Sequence, residues 1–224
     1  MHTLAIVGCG YWGPNLLRNF NSLGNCTVKV ACDADQKRLD HMCAIYRQIE
    51  TTKDFEDVIN DPEIDVVVVA TPVRFHYPMA LRCLEAGKHT FIEKPMATST
   101  DECDHLIAVA KENGLTIMVG HTFIYSPPVR AIKKIIQSGE LGEILYISSR
   151  RLNLGLFQQD INVAWDLAPH DISIILYILE EMPIAVNCQG KAHLNPSIED
   201  VTNMTLSFPS GGFATIQNLS LIHI

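Results

Sequence analysis

The stretch Thr3-Leu4-Ala5-Ile6-Val7-Gly8-Cys9-Gly10-Tyr11-Trp12-Gly13 decides the fold of the first half of the chain. It is an apolar strand that runs into G-x-G-x-x-G, and a helical pattern follows from Pro14. Gly8 permits a tight turn out of the strand, Gly10 lets the backbone approach a pyrophosphate, and Gly13 lets the helix pack closely on the strand. The N–H groups at the start of that helix then face the phosphates. The alternative is a glycine-rich turn that binds no ligand.

An acidic residue follows at the distance that a dinucleotide site requires. Asp33 lies 20 residues beyond Gly13, at the end of a second predicted strand, Thr27–Cys32. A carboxylate there binds the adenosine ribose hydroxyls and repels a 2′-phosphate. The sequence therefore predicts NAD as the cofactor, with NADP disfavoured.

Composition limits the class of protein. The chain has 224 residues, 47% of them hydrophobic, which suggests two domains or one domain plus a part. A net charge of −8 and a pI near 5.5 argue against nucleic acid as the main partner. Seven cysteines, never spaced C-x-x-C, indicate small buried hydrophobes in a reducing compartment. The chain enters its first strand directly and its apolar runs are short, so we expect a soluble, cytoplasmic protein without a signal peptide or membrane span.

The pattern of elements changes near residue 120. Strands and helices alternate before it, which predicts an NAD(P)-binding domain over residues 1–120 with a doubly wound parallel sheet. Helices followed by strands predict a second, α+β domain over residues 121–218 with a mostly antiparallel open sheet. In that second domain we expect a helix over Pro127–Ser138, a long strand over Glu143–Leu154 and a helix over Leu167–Leu179.

The last six residues, Leu219–Ile224, resemble the in-frame translation of a sequencing-library end. We therefore expect a truncated second domain and exclude these residues from the fold. The alternative is an ordinary extension of the last strand. Truncation is favoured because a sheet that has just turned a hairpin would otherwise stop with an unpaired edge.

Thr71-Pro72 follows the buried run 65–70, at the carboxyl end of a predicted strand. Open α/β sheets bind ligands at these ends, so we expect Thr71 to face the cofactor. His76 comes four residues after Pro72. It is either a cofactor contact or a surface or capping histidine.

Glu93-Lys94-Pro95 follows the next predicted strand, again at its carboxyl end. A lysine ammonium held beside a nicotinamide could donate a hydrogen bond to the reacting oxygen and stabilise a developing alkoxide. From its position alone, Lys94 is equally well explained as a catalytic residue and as a lysine without a catalytic role.

Trp165-Asp166-Leu167-Ala168-Pro169-His170-Asp171 is the third candidate. Asp166 suits a helix N-cap, and Pro169 is tolerated in the first turn. His170 then projects on the same side as Asp166, and such an acid orients the histidine base that oxidation of an alcohol requires. Simple capping by Asp166, with His170 packed on the sheet, fits the spacing equally well. No His or Cys cluster has metal spacing, so no metal is expected.

These motifs, together with Gly120-His121, resemble those of the glucose–fructose oxidoreductase, inositol dehydrogenase and rhizopine-catabolism (Gfo/Idh/MocA) family over residues 1–218. Members combine an NAD(P)-binding domain with a C-terminal α/β domain whose open sheet forms the substrate pocket and often an oligomer interface. They also continue well beyond residue 218. The resemblance thus implies an oxidoreductase, a homo-oligomer through the second sheet, and a truncated chain.

The resemblance implies roles for individual residues. Lys94 would be the catalytic lysine, His170 the acid/base and Asp166 its partner. The expected cofactor-binding residues are Gly8, Gly10, Tyr11, Trp12, Gly13, Asp33, Thr71, Pro72, His76, Glu93 and Lys94. The expected substrate-binding residues are Lys94, Tyr125, Arg151, Trp165 and His170.

The implied reaction is hydride transfer between NAD and a secondary hydroxyl or ketone of a sugar, nucleotide sugar or cyclitol. The segments 151–155 and 162–165 are most similar to those of members that act on nucleotide-linked sugars. Two alternatives remain. One is a non-catalytic NAD-binding sensor or partner-binding protein on the same fold, and the other is an inactive cofactor-binding fragment.

Overall fold

The computed structural model describes residues 1–152 and 161–220. The chain forms two compact units, Met1–Gly120 and His121–Ile224. Residues 153 and 154 of the predicted long strand lie outside the described residues, as do residues 153–155 of the segment that resembles nucleotide-sugar members and residues 221–224 of the final six.

The first unit is the predicted doubly wound parallel sheet, which is confirmed. Its strands are β1 (His2–Val7), β2 (Cys26–Cys32), β3 (Glu50–Thr52), β4 (Val66–Val69), β5 (His89–Ile92) and β6 (Ile117–Val119). Its helices are α1 (Gly13–Asn21), α2 (Gln36–Ile45), α3 (Phe55–Asn60), α4 (His76–Glu85) and α5 (Thr100–Glu112). The strands pair in parallel in the order β3-β2-β1-β4-β5-β6.

The central strands of this sheet are apolar because helices cover both of their faces. Successive residues of β1 pack on opposite sides, with Ala5 in one core and Ile6 in the other. The strand order reverses between β1 and β4, and open α/β sheets bind ligands at the carboxyl ends of strands at such a point. The glycine turn and Thr71 follow these two strands.

The second unit has a four-stranded mixed sheet. Its helices are α6 (Pro127–Ser138) and α7 (Val163–Leu179), and its strands are β7 (Tyr146–Leu152), β8 (Ala185–Lys191), β9 (Val201–Ser207) and β10 (Phe213–Leu219). The strand order is β7-β10-β9-β8, with two antiparallel pairs and a parallel β7–β10 pair. Helix α7 covers one face, where Ala168 and Ile175 pack against Leu206, Ala214 and Ile216.

Helix α7 begins earlier than predicted, and the assignment of Asp166 as its N-cap is wrong. Asn162 is the N-cap, because its side-chain oxygen accepts the Trp165 N–H at 2.9 Å. Asp166 instead lies in the first turn of the helix, and Pro169 lies inside it. The acid and His170 nevertheless remain four residues apart on one helix, and so on the same side.

Three of the seven free cysteines, Cys9, Cys32 and Cys83, belong to the cores of the first unit. The prediction of buried cysteines is wrong for Cys188, which is exposed because it lies on the edge strand β8. Within the described ranges, no helix has the length and apolar character needed to cross a membrane.

Candidate functional site

Two of the three motif glycines are required by the fold itself. Gly8 has a φ of 94°, and a Cβ there would lie 2.6 Å from the Ala70 carbonyl oxygen. A Cβ on Gly13 would overlap the carbonyl oxygen of Gly8. These contacts match the roles predicted for the tight turn and for the close approach of helix to strand.

Gly10 is different, because the fold leaves space beside it. Within the described part of the chain, the only heavy atom that a Cβ on Gly10 would meet within 4 Å is Arg38 Nη1, at 3.8 Å. Helix α1 starts three residues later and has no acidic residue in its first turn. An uncrowded glycine beside a helix N-terminus fits a bound pyrophosphate, since both the backbone and the helix dipole favour that anion.

Asp33 is held at the end of β2 by backbone donors. Its Oδ2 accepts the Cys9 N–H at 2.7 Å, and its Oδ1 accepts the Asp35 N–H at 2.8 Å. The residue is 7% exposed. The carboxylate is thus fixed against the glycine turn, at the position where an acid is predicted to bind the ribose.

Burial beside Asp33 raises the pKa of the Cys9 thiol to about 12, with desolvation as the main cause and the Asp33 charge as the second. Cys9 therefore remains a neutral thiol at physiological pH.

The loops after β4 and β5 are joined by His76. Its Nδ1 lies 2.7 Å from the Pro95 carbonyl oxygen and its Nε2 lies 2.8 Å from the Thr71 carbonyl oxygen. His76 is 1% exposed, which rules out the surface alternative. The histidine therefore joins the loop after β4 to the loop after β5, which carries Lys94.

Thr71 has a hydroxyl that suits a ligand. Its Oγ1 is buried and finds no hydrogen-bond partner among the residues that the structure describes. A buried hydroxyl of this kind normally has a partner, because leaving it unpaired costs about 1–3 kcal/mol. A polar group of a bound dinucleotide is a suitable partner for the Thr71 hydroxyl. The neighbouring residue, Pro72, is exposed, and its fixed φ stiffens the loop.

Glu93 is a buried carboxyl that packs against Gly120. A Cβ on Gly120 would lie 3.2 Å from both carboxylate oxygens, so the glycine leaves room for this side chain. The Lys94 N–H donates to Glu93 Oε2 at 3.2 Å. Burial raises the pKa of Glu93, and its contacts with Lys94 oppose that rise. Lys94 itself is partly buried at the carboxyl end of β5.

Tyr11 and Trp12 are exposed aromatic residues of the glycine turn. Their exposed fractions are 76% and 49%, and their rings meet edge to face with centroids 5.3 Å apart. The Tyr11 carbonyl accepts a hydrogen bond from the Asn15 amide. Their place on the turn is compatible with the predicted role in cofactor binding.

In the second unit, the β8–β9 connection supports the start of α7. The Glu199 carbonyl accepts the Val163 N–H at 2.9 Å, and the Glu199 carboxylate accepts the Asn162 side-chain amide at 3.2 Å. Asp200 is fully buried and accepts hydrogen bonds from His193 and from the backbone N–H groups of His193 and Leu194. This connection fixes the first turn of the helix that carries Asp166 and His170.

His170 packs against a stack of aromatic and charged groups. Its ring meets Phe123 edge to face, with centroids 4.8 Å apart, and the Arg151 guanidinium lies 4.8 Å from the Phe123 ring centroid. Arg151 donates to Asp171 Oδ2 at 2.9 Å and to Oδ1 at 3.1 Å, and Ser149 also donates to Asp171. Arg151, predicted as a substrate residue, is therefore held by an ion pair.

The remaining predicted substrate residues also lie in the second unit. Tyr125 is 51% exposed with the Arg130 guanidinium 5.6 Å from its ring centroid, whereas Trp165 is partly buried in the first turn of α7. Among residues 1–152 and 161–220, no group of three or more His, Cys, Asp or Glu side chains could hold a metal ion.

Sequence reasoning missed several positioning residues. Asp171 stands at the start of the long apolar run of α7, and an acid at such a place in the sequence indicates a polar partner. Phe123 and Glu199 come from distant elements, so nothing in the local pattern could have placed them beside α7.

Two family models match the chain. One, described as the oxidoreductase family with an NAD-binding Rossmann fold, matches residues 2–121. The other, described as the GFO/IDH/MocA C-terminal domain, matches residues 129–222.

Curated relatives are longer than the chain. It is 29% identical over 223 residues to the uncharacterized oxidoreductase YrbE of Bacillus subtilis, covering 95% of this chain and 65% of that protein. It is 29% identical over 233 residues to the 2,7-anhydro-N-acetylneuraminate hydratase of Escherichia coli, covering 97% of this chain and 61% of that protein. The chain thus spans less than two thirds of the length of these relatives.

A solved structure supports the fold. The scyllo-inositol dehydrogenase of Lactobacillus casei, with bound NAD(H) and scyllo-inositol, matches with a TM-score of 0.84 at 20% identity, over 97% of this chain and 69% of that one. At this identity the likeness shows the shared architecture.

Proposed function

Because the chain belongs to the Gfo/Idh/MocA family of NAD-binding oxidoreductases, we propose that it transfers a hydride between NAD and a secondary hydroxyl or ketone of a sugar, nucleotide sugar or cyclitol. The observation that carries the cofactor assignment is the uncrowded Gly10 beside the α1 N-terminus, with the carboxylate of Asp33 fixed on the same turn. The substrate class is supported by the resemblance to sugar and inositol dehydrogenases.

In the proposed reaction, His170 is the general acid and base. A nitrogen of its imidazole accepts the proton of the substrate hydroxyl during oxidation and returns it to the carbonyl oxygen during reduction. Asp166, one turn earlier on α7, orients the imidazole. Phe123 packs on the ring and limits its rotation.

Lys94 has the complementary role. Its ammonium donates a hydrogen bond to the substrate oxygen and stabilises the negative charge that develops there. A bound NAD would supply the acceptor for the hydride of the hydroxyl-bearing carbon. His76 keeps the Lys94 loop in place through the Pro95 carbonyl.

The test is a pair of single variants, His170→Ala and Lys94→Ala. Each should lower turnover by at least about 10²-fold, since a general acid or base contributes 10²–10⁴ in rate. NAD affinity, measured by calorimetry, should stay near that of the unchanged protein. NADH absorbance with a panel of sugars, nucleotide sugars and inositols measures turnover. Near-normal turnover in both variants would contradict the assignment of these two residues as catalytic.

The similarity to a hydratase favours a second candidate reaction on the same site. Hydration adds water and leaves the oxidation state of substrate and cofactor unchanged overall. A hydratase would convert its substrate without accumulating NADH, so product analysis beside the absorbance assay separates the two reactions. NAD binding without any conversion would instead support the non-catalytic alternative.

We further propose a homo-oligomer formed through the open face of the second sheet and a location in the reducing cytoplasm. Seven free thiols support the location, because disulfides form in oxidising compartments. Exposed aromatic residues support the oligomer, since such residues are enriched in interfaces.

A further inference from the structure

The face of the second sheet that points away from α7 has a positive charge. Side chains alternate between the two faces of a strand, and the cross-strand register assigns four positions on each of the four strands to this face, sixteen in all. None of these sixteen described residues is Asp or Glu, and two of them are cations, Arg150 and Lys191. The face is therefore positive in a chain whose net charge is −8.

Two neighbouring rows on this face are polar across β7, β10 and β9. Each row has three side chains that are paired across the strands, and each of these side chains can donate a hydrogen bond. Paired residues lie about 4.5–5.5 Å apart, and rows two residues apart are separated by about 7 Å. One row, Ser148–Thr215–Thr205, has hydroxyls, and the other, Arg150–Gln217–Asn203, has a guanidinium and two amides.

The six side chains of these two rows line a shallow cavity of about 220 Å³. This volume is smaller than the roughly 300–1,000 Å³ of pockets for drug-sized molecules, so it suits a small ligand. Within the described ranges, no carboxylate lines the cavity. A cavity with many hydrogen-bond donors, one cation and no acid favours an anion that is rich in acceptor oxygens.

Arg150 and Arg151 are adjacent in the sequence but differ in their partners. Arg151 faces α7, and its Nε lies 2.9 Å from Asp171 Oδ2. Arg150 is exposed and lines the cavity, and its side chain forms no ion pair or hydrogen bond with another of the described residues. Its planar N–H fork is therefore available to a ligand, and that fork matches two oxygens of a phosphate group.

We propose that this cavity is a second ligand site, which binds the phosphate group of a small anion. Arg150 pairs with two phosphate oxygens, and the Gln217 and Asn203 amides donate to the same group. The hydroxyls of the neighbouring row donate to the rest of the ligand. All of these residues belong to the second unit, so the site does not rest on the proposed dinucleotide function.

The site leaves room on the same face for the proposed oligomer contact. Tyr146 and Phe213 are paired in the row beyond Ser148–Thr215–Thr205, at the end of the face that is farther from Arg150. The aromatic end and the phosphate site thus use different rows of the sheet.

The test is a titration of the ¹⁵N-labelled 224-residue chain with inorganic phosphate and with glycerol 3-phosphate. NMR follows the side-chain amides of Gln217 and Asn203 and the Nε–H of Arg150. Sodium chloride at equal ionic strength controls for screening. Both phosphates should shift these signals saturably, and chloride should not. Tighter binding of glycerol 3-phosphate would assign the site to phosphorylated metabolites, and equal affinities would assign it to free phosphate.

Three variants separate a specific contact from the general charge of the face. Arg150→Met should weaken the binding of inorganic phosphate by at least about tenfold. Gln217→Met removes one donor without a change in charge and should weaken it by at least about threefold. Lys191→Met is the matched control, because it removes the other cation of this face from an outer row. It should change the affinity by less than about threefold.

The outcomes that overturn the proposal are distinct. Equal weakening by Arg150→Met and Lys191→Met would reduce the site to the general charge of the face. Full affinity in Arg150→Met or in Gln217→Met would contradict the assigned contacts. An unchanged protein without a saturable response would overturn the site, including the case in which a second copy covers these rows. Thermal unfolding verifies that each variant is folded, and NAD titration of the same samples tests the cofactor function separately.

Discussion

Glu93 combines a buried position with a titratable group, and its pKa links pH to stability. Burial raises that pKa above the ordinary value of 4.5, against the opposing hydrogen bond and charge of Lys94. A folded-state pKa above the unfolded-state pKa means that the folded state holds its proton more tightly. The resulting contribution to stability is complete below pH 4.5 and is lost as the pH rises through the raised value.

We therefore predict that Glu93→Gln becomes progressively more stable than the unchanged protein as the pH rises from about 4 to 7. The amide keeps the shape of the side chain but never ionises. Urea denaturation at a series of pH values measures the difference. Glu85→Gln, at an exposed position on α4, controls for the loss of one negative charge. Parallel pH curves for Glu93→Gln and the unchanged protein would contradict the prediction.

His76 is predicted to stabilise the first unit through its two carbonyl partners. His76→Phe keeps an aromatic ring but removes both ring nitrogens, which lie at hydrogen-bond distance from the Pro95 and Thr71 carbonyl oxygens. Because each buried polar group left unpaired costs about 1–3 kcal/mol, unfolding should become easier by about 2 kcal/mol or more. Urea denaturation measures the loss. His41→Phe, at an exposed site on α2, should change stability by less than about 0.5 kcal/mol. Similar effects of the two variants would contradict the assigned role.

Strand β7 and helix α7 are connected by the Arg151–Asp171 ion pair. Asp171 is 5% exposed, so removal of Arg151 leaves a buried carboxylate with the Ser149 hydroxyl as a hydrogen-bond donor but without its cation. Arg151→Met should cost about 3 kcal/mol in unfolding free energy. Arg150 is the matched control, since it is exposed on the opposite face of the same strand, and Arg150→Met should cost less than about 0.5 kcal/mol.

A double variant tests whether the ion pair itself is responsible. Adding Asp171→Asn to Arg151→Met replaces the uncompensated carboxylate with a neutral amide and should recover part of the lost stability. Chemical denaturation of both single variants and the double variant gives the coupling energy. Strictly additive losses would show that the two side chains stabilise the fold separately.

The sequence predicted elements well where one local pattern determined them. The apolar run before Gly8 and the regular alternation after it were enough to predict the parallel sheet, because buried parallel strands and amphipathic helices have different periods. Strand β3 was missed, since Glu50–Thr52 is a three-residue polar segment at the sheet edge. Its formation depends on pairing with β2 and not on its own pattern.

Contacts between distant segments were beyond prediction. The first turn of α7 was placed too late because Asp166 resembles an N-cap, whereas Asn162 has that role together with Glu199. The parallel pairing of β7 with β10 and the packing of Phe123 on His170 each join segments far apart in the chain. Such contacts depend on the packed structure, so a single sequence supports the candidate residues but not their surroundings.

The two units differ in how much of their sheet is covered. Helices cover both faces of the first sheet, as its strands of continuous apolar residues require. Among the described residues of the second unit, α7 covers one face of the sheet, and β10 alternates between residues packed on the helix and residues, both polar and apolar, on the other face. Ser148, Thr205 and Thr215 lie on this open face, around a shallow cavity of about 220 Å³.

An aromatic pair on that open face provides the test of the proposed oligomer. Tyr146 and Phe213 are paired across β7 and β10, with stacked rings 5.8 Å apart and exposed fractions of 64% and 46%. If a second copy covers this face, Tyr146→Asp should dissociate the oligomer, because a buried carboxylate without a partner is costly. Light scattering after size-exclusion chromatography measures the mass. Ile107→Asp, an exposed apolar site on α5, should leave the mass unchanged. The proposed interface would be contradicted if the unchanged protein is monomeric at micromolar concentration, or if the oligomer survives Tyr146→Asp. Dissociation by both variants would indicate a general effect of added charge.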